Sequence, residues 1–162
     1  MEDWSDFCFL CFIFDGDFLT LAALIKEGTL GDIKRLESRF DRFRPVPRNR
    51  WRENAGPGSG IFWDLGPHLI DQALQLFGQP ESVSANILTL REGGQSDDTF
   101  DITLHYTDKM IKLGSSAFQA GTTLRYDLQG TKGSFRKFHL DPQENQLRAG
   151  LSFDDASWAT TE

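Results

Sequence analysis

The sequence predicts an α+β domain with a mostly antiparallel, open sheet and helices packed on one of its faces. Two helical patterns occur early in the chain, and five segments of alternating apolar residues follow the second one. Short turns join most of these later segments, as in antiparallel sheets. The chain has 162 residues, 39% of them hydrophobic, which is enough for one domain with its own core.

The first helix is predicted over residues 17–27, where apolar side chains recur at helical spacing. Asp15 or Asp17 is expected to cap it, because a carboxylate can accept the free backbone N–H groups of the first turn. Gly28 is expected to end it, since glycine readily adopts the conformation that follows a helix.

In residues 33–43 every second position is Leu36, the small Ser38, Phe40 and Arg42, and this alternation predicts a strand with mixed faces. Pro45 and Pro47 are expected to end this strand, because proline cannot donate a ladder hydrogen bond. Residues 44–60 hold few apolar side chains and several proline and glycine signals, and are predicted to form a long loop. Loops of that length inside a compact domain are usually functional.

The second helix is predicted within residues 61–77. Pro67 belongs in a first turn, because inside a helix its ring clashes with the carbonyl group four residues earlier. The helix therefore begins near Leu65 with Asp64 as its cap, or begins near Ile61 and kinks. Five strands are predicted after it, at residues 81–91, 99–106, 110–118, 122–129 and 134–138.

Three polar residues of the second helix, Asp64, His68 and Asp71, fall on one side at spacings of four and three residues, and Gln75 follows them. A carboxylate beside an imidazole on an otherwise apolar helix is costly unless it is hydrogen-bonded or used. The spacing leaves two interpretations open, an active-site stripe and a stripe that faces water. No metal site is predicted, because His68 and Asp64 lack a third ligand at helical or turn spacing.

The charge pattern argues against a nucleic-acid partner. The net charge is −7, and an acidic domain would repel a polyanion. One basic cluster interrupts this average and consists of Arg42, Arg44, Arg48, Arg50 and Arg52. It is interpreted either as a solvated loop or as a lip that binds an anionic or hydroxylated small molecule.

Cys8 and Cys11 form a single C-x-x-C pair, and neither a second pair nor a histidine pair accompanies it, so a zinc site is not expected. The apolar run at residues 7–14 is too short to span a bilayer. Its acidic flank is unlike that of a signal peptide. A cytoplasmic protein with reduced thiols and no membrane partner is therefore expected. The sequence also lacks G-x-G-x-x-G, P-loop and G-x-S-x-G motifs, so no cofactor-binding residue is predicted.

Residues 63–71, Trp-Asp-Leu-Gly-Pro-His-Leu-Ile-Asp, resemble the D-x-G-x-H-x-x-D motif of the glucose–fructose oxidoreductase/inositol dehydrogenase (Gfo/Idh/MocA) family. Residues 37–45, 50–53 and 140–144 are similar to the YdgJ-type oxidoreductases of that family. The resemblance divides the chain into an unmatched segment 1–14, a family-like C-terminal domain 15–150 and a polar tail 151–162.

The resemblance implies an enzyme of two domains. A Rossmann domain would bind NAD or NADP and supply a lysine, and an α+β domain would bind substrate and form dimers through its sheet. This chain resembles the second domain alone, a truncated form of the enzyme. No NAD or NADP is therefore expected to bind this chain by itself, and a separate Rossmann subunit is a possible partner.

The resemblance also implies roles for single residues. His68 would accept the proton of the substrate hydroxyl, with Asp64 beside it, and Asp71 would orient the imidazole ring. Sugar or polyol contacts are expected from the neighbouring loop residues Arg48, Arg50, Trp51 and Arg52. The alternative is a non-catalytic binding or oligomerisation module that forms a homodimer through its open sheet.

Overall fold

A computed structural model of the protein describes residues 15–140, 142, 143, 146, 149–152 and 154–156. Two helices and six strands lie within these residues. In chain order they are α1 (Gly16–Lys26), β1 (Ile33–Arg39), α2 (Ile61–Phe77), β2 (Ser82–Leu88), β3 (Thr99–His105), β4 (Met110–Ser116), β5 (Leu124–Gly130) and β6 (Ser134–Phe138). The prediction for Cys8 and Cys11 falls outside the described residues.

The six strands form one open sheet in the order β2-β3-β4-β1-β5-β6. Only β1 and β4 pair in parallel among these strands, and the four other pairings are antiparallel. The parallel pair requires a long crossover, which α2, β2 and β3 provide. The predicted α+β class with a mostly antiparallel open sheet is confirmed.

The helices cover one face of the sheet. α2 packs on β3 and β4, where the rings of Phe62 and Phe100 meet edge to face at 5.6 Å, and α1 packs on α2. Alternate strand residues point into this layer and are almost fully buried: Leu36, Phe100, Ile102, Leu104, Ile111, Leu113, Tyr126 and Leu128. The burial of each such side chain contributes about 1.5–3 kcal/mol. In β3 and β4 the alternation read from the sequence is therefore largely the alternation between core and solvent, whereas β2 is exposed along its whole length.

The beginning of α2 is fixed by a residue from a distant loop. The helix starts at Ile61, and the backbone N–H of Ile61 donates to the carbonyl oxygen of Asp97 at 2.9 Å. The N–H of Phe62 donates to the Asp97 carboxylate at 2.6 Å. Of the two predicted beginnings, the one near Ile61 is confirmed. The alternative, a helix that begins near Leu65 with Asp64 as its cap, is wrong, and Asp97 accepts the first free N–H groups instead.

The expected capping of α1 is also wrong. Asp15 occupies the N-cap position, but its side chain accepts no capping hydrogen bond. Asp17 is buried, and its carboxylate lies 3.5 Å from Nε of the buried Arg125. Arg125 also donates to Gln72 of α2 at 3.3 Å. A buried guanidinium needs a counter-charge, and this need draws Asp17 inward.

Neither of the two described helices is long and apolar enough to cross a membrane.

Candidate functional site

A cleft of about 50 Å³ lies between the 44–60 loop and the first turns of α2. Five arginines and three carboxylates are among its lining residues: Arg42, Arg44, Arg50, Arg52, Arg91, Glu53, Asp64 and Asp97. The structure thus brings three of the predicted site residues, Arg50, Arg52 and Asp64, to one place. Arg48, Trp51, His68 and Asp71 do not line the cleft itself.

Arg52 joins the loop to the helix. Its Nη1 lies 2.8 Å from Oδ1 of Asp64, and about a third of the Asp64 side chain is exposed. The Arg52 carbonyl accepts the backbone N–H of Gly60 at 2.8 Å, which closes the loop beside the helix. The Arg52 guanidinium also lies 5.1 Å from the centre of the exposed Trp51 ring. Arg52 therefore holds one oxygen of Asp64 at the rim of the cleft and shares that rim with an aromatic surface.

The polar side of α2 continues away from the cleft through His68 and Asp71, both half-buried. Nε2 of Gln75 donates to the Asp71 carboxylate at 2.8 Å, one turn further along the helix. The catalytic role of His68 and the orienting role of Asp71 stay predictions. What the structure supplies is their placement on the helix that also carries Asp64.

A buried network that sequence reasoning missed holds the loop in place. Glu53 is 8% exposed and accepts hydrogen bonds from Nη1 of Arg91 at 2.8 Å and Nε of Arg50 at 2.6 Å. The backbone N–H of Arg48 donates to the same carboxylate at 3.0 Å. Burial opposes ionisation of Glu53, but the hydrogen bonds from Arg48, Arg50 and Arg91 outweigh it and lower its pKa to about 2.

The other end of this network lies in the connection between β2 and β3. Arg91 follows β2, and its Nε lies 3.3 Å from the carboxylate of Asp98, which precedes β3. The Asp98 carboxylate also accepts the backbone N–H groups of Leu90 and Arg91 at 3.0 and 2.9 Å. The 44–60 loop is thus tied to two strand ends, and its Glu53 links Arg50 and Arg91. Glu53 and Arg91 are nearly forty residues apart in the chain, so no local pattern predicts their pairing. The sequence signal was the unusual density of charged residues.

Asp97 occupies the position where a nucleotide phosphate would be bound at a helix N-terminus. Its carboxylate accepts the Phe62 N–H, and a Cβ on Gly60, where φ is 101°, would overlap that carboxylate. Burial raises the pKa of Asp97. The Asp97 carboxyl group already fills this site, so the glycine-rich approach to α2 does not fit a dinucleotide pyrophosphate.

No group of three His, Cys, Asp or Glu side chains that could hold a metal ion occurs within the described residues.

Comparison with known proteins places this cleft in a family. Residues 18–136 match the GFO/IDH/MocA C-terminal domain, and this range contains every residue that lines the cleft. The chain belongs to the GFO/IDH/MocA C-terminal domain family. The predicted family resemblance is therefore confirmed.

Individual family members show the extent of the likeness. The chain is 47% identical to the uncharacterized oxidoreductase YdgJ of Escherichia coli over 144 residues, which are 89% of this chain and 42% of YdgJ. It is 42% identical to the scyllo-inositol 2-dehydrogenase (NADP(+)) IolW of Bacillus subtilis over 144 residues, 89% of this chain and 40% of IolW.

The chain is also similar to a solved structure. The structure of YPO2259 from Yersinia pestis matches with a TM-score of 0.82 and 49% identity, and the match covers 90% of this chain and 41% of that protein. The chain thus spans about two fifths of the length of the relatives it matches.

Proposed function

We propose that this chain is the substrate-binding part of an NAD(P)-dependent oxidoreductase that acts on a sugar or polyol hydroxyl. The observation that carries the proposal is the Arg52–Asp64 pair at the rim of a polar cleft, one helical turn before His68. The matched relatives named as oxidoreductases support it, and IolW is named for a cyclic polyol and NADP(+).

In this proposal His68 accepts the hydroxyl proton, because an imidazole titrates near neutral pH. Asp64 accepts a hydrogen bond from the substrate at a carboxylate whose Oδ1 is fixed by Arg52 at 2.8 Å. Asp71 orients the imidazole ring, while Arg48, Arg50, Trp51 and Arg52 surround the sugar. A ring stacked on the exposed face of Trp51 would leave its hydroxyls facing the guanidinium groups.

The redox chemistry is assigned to NAD or NADP, which would accept the hydride. The glycine-rich approach to α2 does not fit the dinucleotide, since Asp97 takes the place of a phosphate. The cofactor would therefore be held by a Rossmann domain of the same polypeptide or by a separate Rossmann subunit. A cytoplasmic location is part of the proposal, because the cofactor pool is there.

One feature favours a second candidate, a module that forms a homodimer through the sheet face opposite the helices. A hollow of about 340 Å³ lies on this face, lined by residues that include Arg39, Asp101 and Lys112. Arg39 lies 2.7 Å from Asp41 and 2.8 Å from Asp101. A charged face of this kind can pair with a second copy by exchanging its ion pairs. A clean monomer in sedimentation at micromolar concentrations would contradict this candidate.

The main proposal is tested by titrating scyllo-inositol into the chain and measuring heat. We expect binding that is weakened about tenfold by Asp64→Asn, the order of magnitude for one lost hydrogen bond to a charged group. His68→Gln should weaken it less, because a proton acceptor matters most in the reaction. His105→Gln, on the face opposite α2, is the matched control. Equal effects of Asp64→Asn and His105→Gln would refute the proposed site.

A further inference from the structure

The cleft is positively charged in a protein that is otherwise acidic. Its lining carries five arginines against three carboxylates, an excess of two positive charges, while the whole chain has a net charge of −7. Concave sites concentrate such a potential, because their low-dielectric walls focus the field. The excess of positive charge therefore favours an anionic ligand in the cleft.

The carboxylates of the cleft are already engaged. Glu53 lies 2.6 Å from Arg50 and 2.8 Å from Arg91, and Asp64 lies 2.8 Å from Arg52. Asp97 faces backbone N–H groups at the start of α2. These contacts account for three of the five lining arginines. Arg42, whose guanidinium lies 5.0 Å from the centre of the Phe40 ring, and Arg44 also line the cleft.

Arg44 is the better placed of the two. Within the described ranges its guanidinium forms no salt bridge, and its backbone N–H donates to the carbonyl of Ala117 at 2.7 Å, so the residue that follows β4 fixes its position. Burial and the neighbouring charges of Arg42, Arg48 and Arg50 lower the pKa of Arg44. The electrostatic potential is therefore positive at the half-buried Arg44 guanidinium, and a bound anion would stabilise its charge.

We infer that the cleft binds a polyol that carries a carboxylate or phosphate group, with Arg44 binding the anionic group while a hydroxyl faces Asp64. This inference rests on the proposed function and adds the charge of its substrate. A guanidinium presents parallel N–H donors that match two oxygens of either group. A neutral polyol would offer the Arg44 guanidinium no negative charge.

The test is calorimetric titration of the 162-residue chain with glucuronate, glucose 6-phosphate, glucose and inorganic phosphate. At least one charged sugar should bind about tenfold or more tightly than glucose, and added salt should remove this difference. The preferred sugar, glucuronate or glucose 6-phosphate, identifies the anionic group. Arg44→Gln should abolish the preference. Arg136→Gln removes one charge from an exposed arginine in β6, outside the cleft, and should leave the preference intact.

Equal binding of glucose and both charged sugars would refute the anionic preference and leave the polyol site standing. Equal effects of Arg44→Gln and Arg136→Gln, with circular dichroism showing both folded, would also refute it. If inorganic phosphate binds as tightly as glucose 6-phosphate and Asp64→Asn changes neither, the anion site stands and the polyol function is refuted. Failure of all four probes to bind at millimolar concentration would refute both.

Discussion

Replacing Glu53 by Gln should loosen the loop that forms one wall of the cleft. The change keeps the size of the side chain but removes a buried negative charge that lies against Arg50 and Arg91. A pKa lowered from 4.5 to about 2 corresponds to about 3 kcal/mol of stabilisation of the ionised form. Arg91 keeps Asp98 as a partner, so we expect a loss of about 2–3 kcal/mol in the free energy of unfolding.

Urea denaturation followed by circular dichroism measures this loss, and the pH dependence tests its cause. The pKa of Glu53 is lower in the folded state, so its stabilisation is complete above the unfolded pKa of 4.5 and declines as pH falls towards 2. The difference between wild type and Glu53→Gln should therefore shrink between about pH 5 and pH 2.

Glu92→Gln is the matched control, because Glu92 is exposed and follows Arg91 directly. This change should alter stability by less than about 0.5 kcal/mol. If Glu53→Gln costs no more than Glu92→Gln at pH 7, or if its cost does not change with pH, the assignment of Glu53 as the anchor of the loop is refuted.

Three further predictions follow from the same structure. Gly60→Ala should lower the free energy of unfolding by about 2 kcal/mol or more, because the new Cβ meets Asp97 and the residue has a positive φ. Gly58→Ala is the control in the same urea experiment and should cost less, because Gly58 also has a positive φ but has open space around it. Arg125→Met should cost about 3–5 kcal/mol because it breaks the buried ion pair with Asp17, and the double variant with Asp17→Asn should recover part of that loss on thermal denaturation. NADPH fluorescence should not change when the chain is added, and micromolar binding would contradict the assignment of the dinucleotide to another domain.

Local patterns predicted most of the fold. The alternating residues of 99–106 and 110–118 identified β3 and β4 because each strand has one face in the core, and this pattern needs no knowledge of partners. Sequence also placed Asp64 on a helix beside an arginine-rich loop. It could not place Asp97 at the start of that helix, since 35 residues separate the N–H group of Phe62 from the Asp97 carboxylate that accepts it.

The parallel pairing of β1 with β4 could not be predicted from the sequence either. β1 and β4 are separated by α2, β2 and β3, and nothing in the sequence of β1 states which neighbour it takes. Antiparallel hairpins such as β3–β4 follow from a tight turn, so their pairing is local. A parallel pairing depends on how the crossover packs, which only the assembled core decides.

Sequence patterns are enough to predict the α+β class, the family motif of residues 63–71 and the helix that carries Asp64, His68 and Asp71. Each of these depends on spacing along one segment. The tertiary structure alone decided that Asp64 is paired with Arg52, that Glu53 is held by Arg91 from another strand end, and that the cleft has an excess of positive charge. Ion pairs act over a few ångströms in space, and chain folding, not chain order, sets those distances.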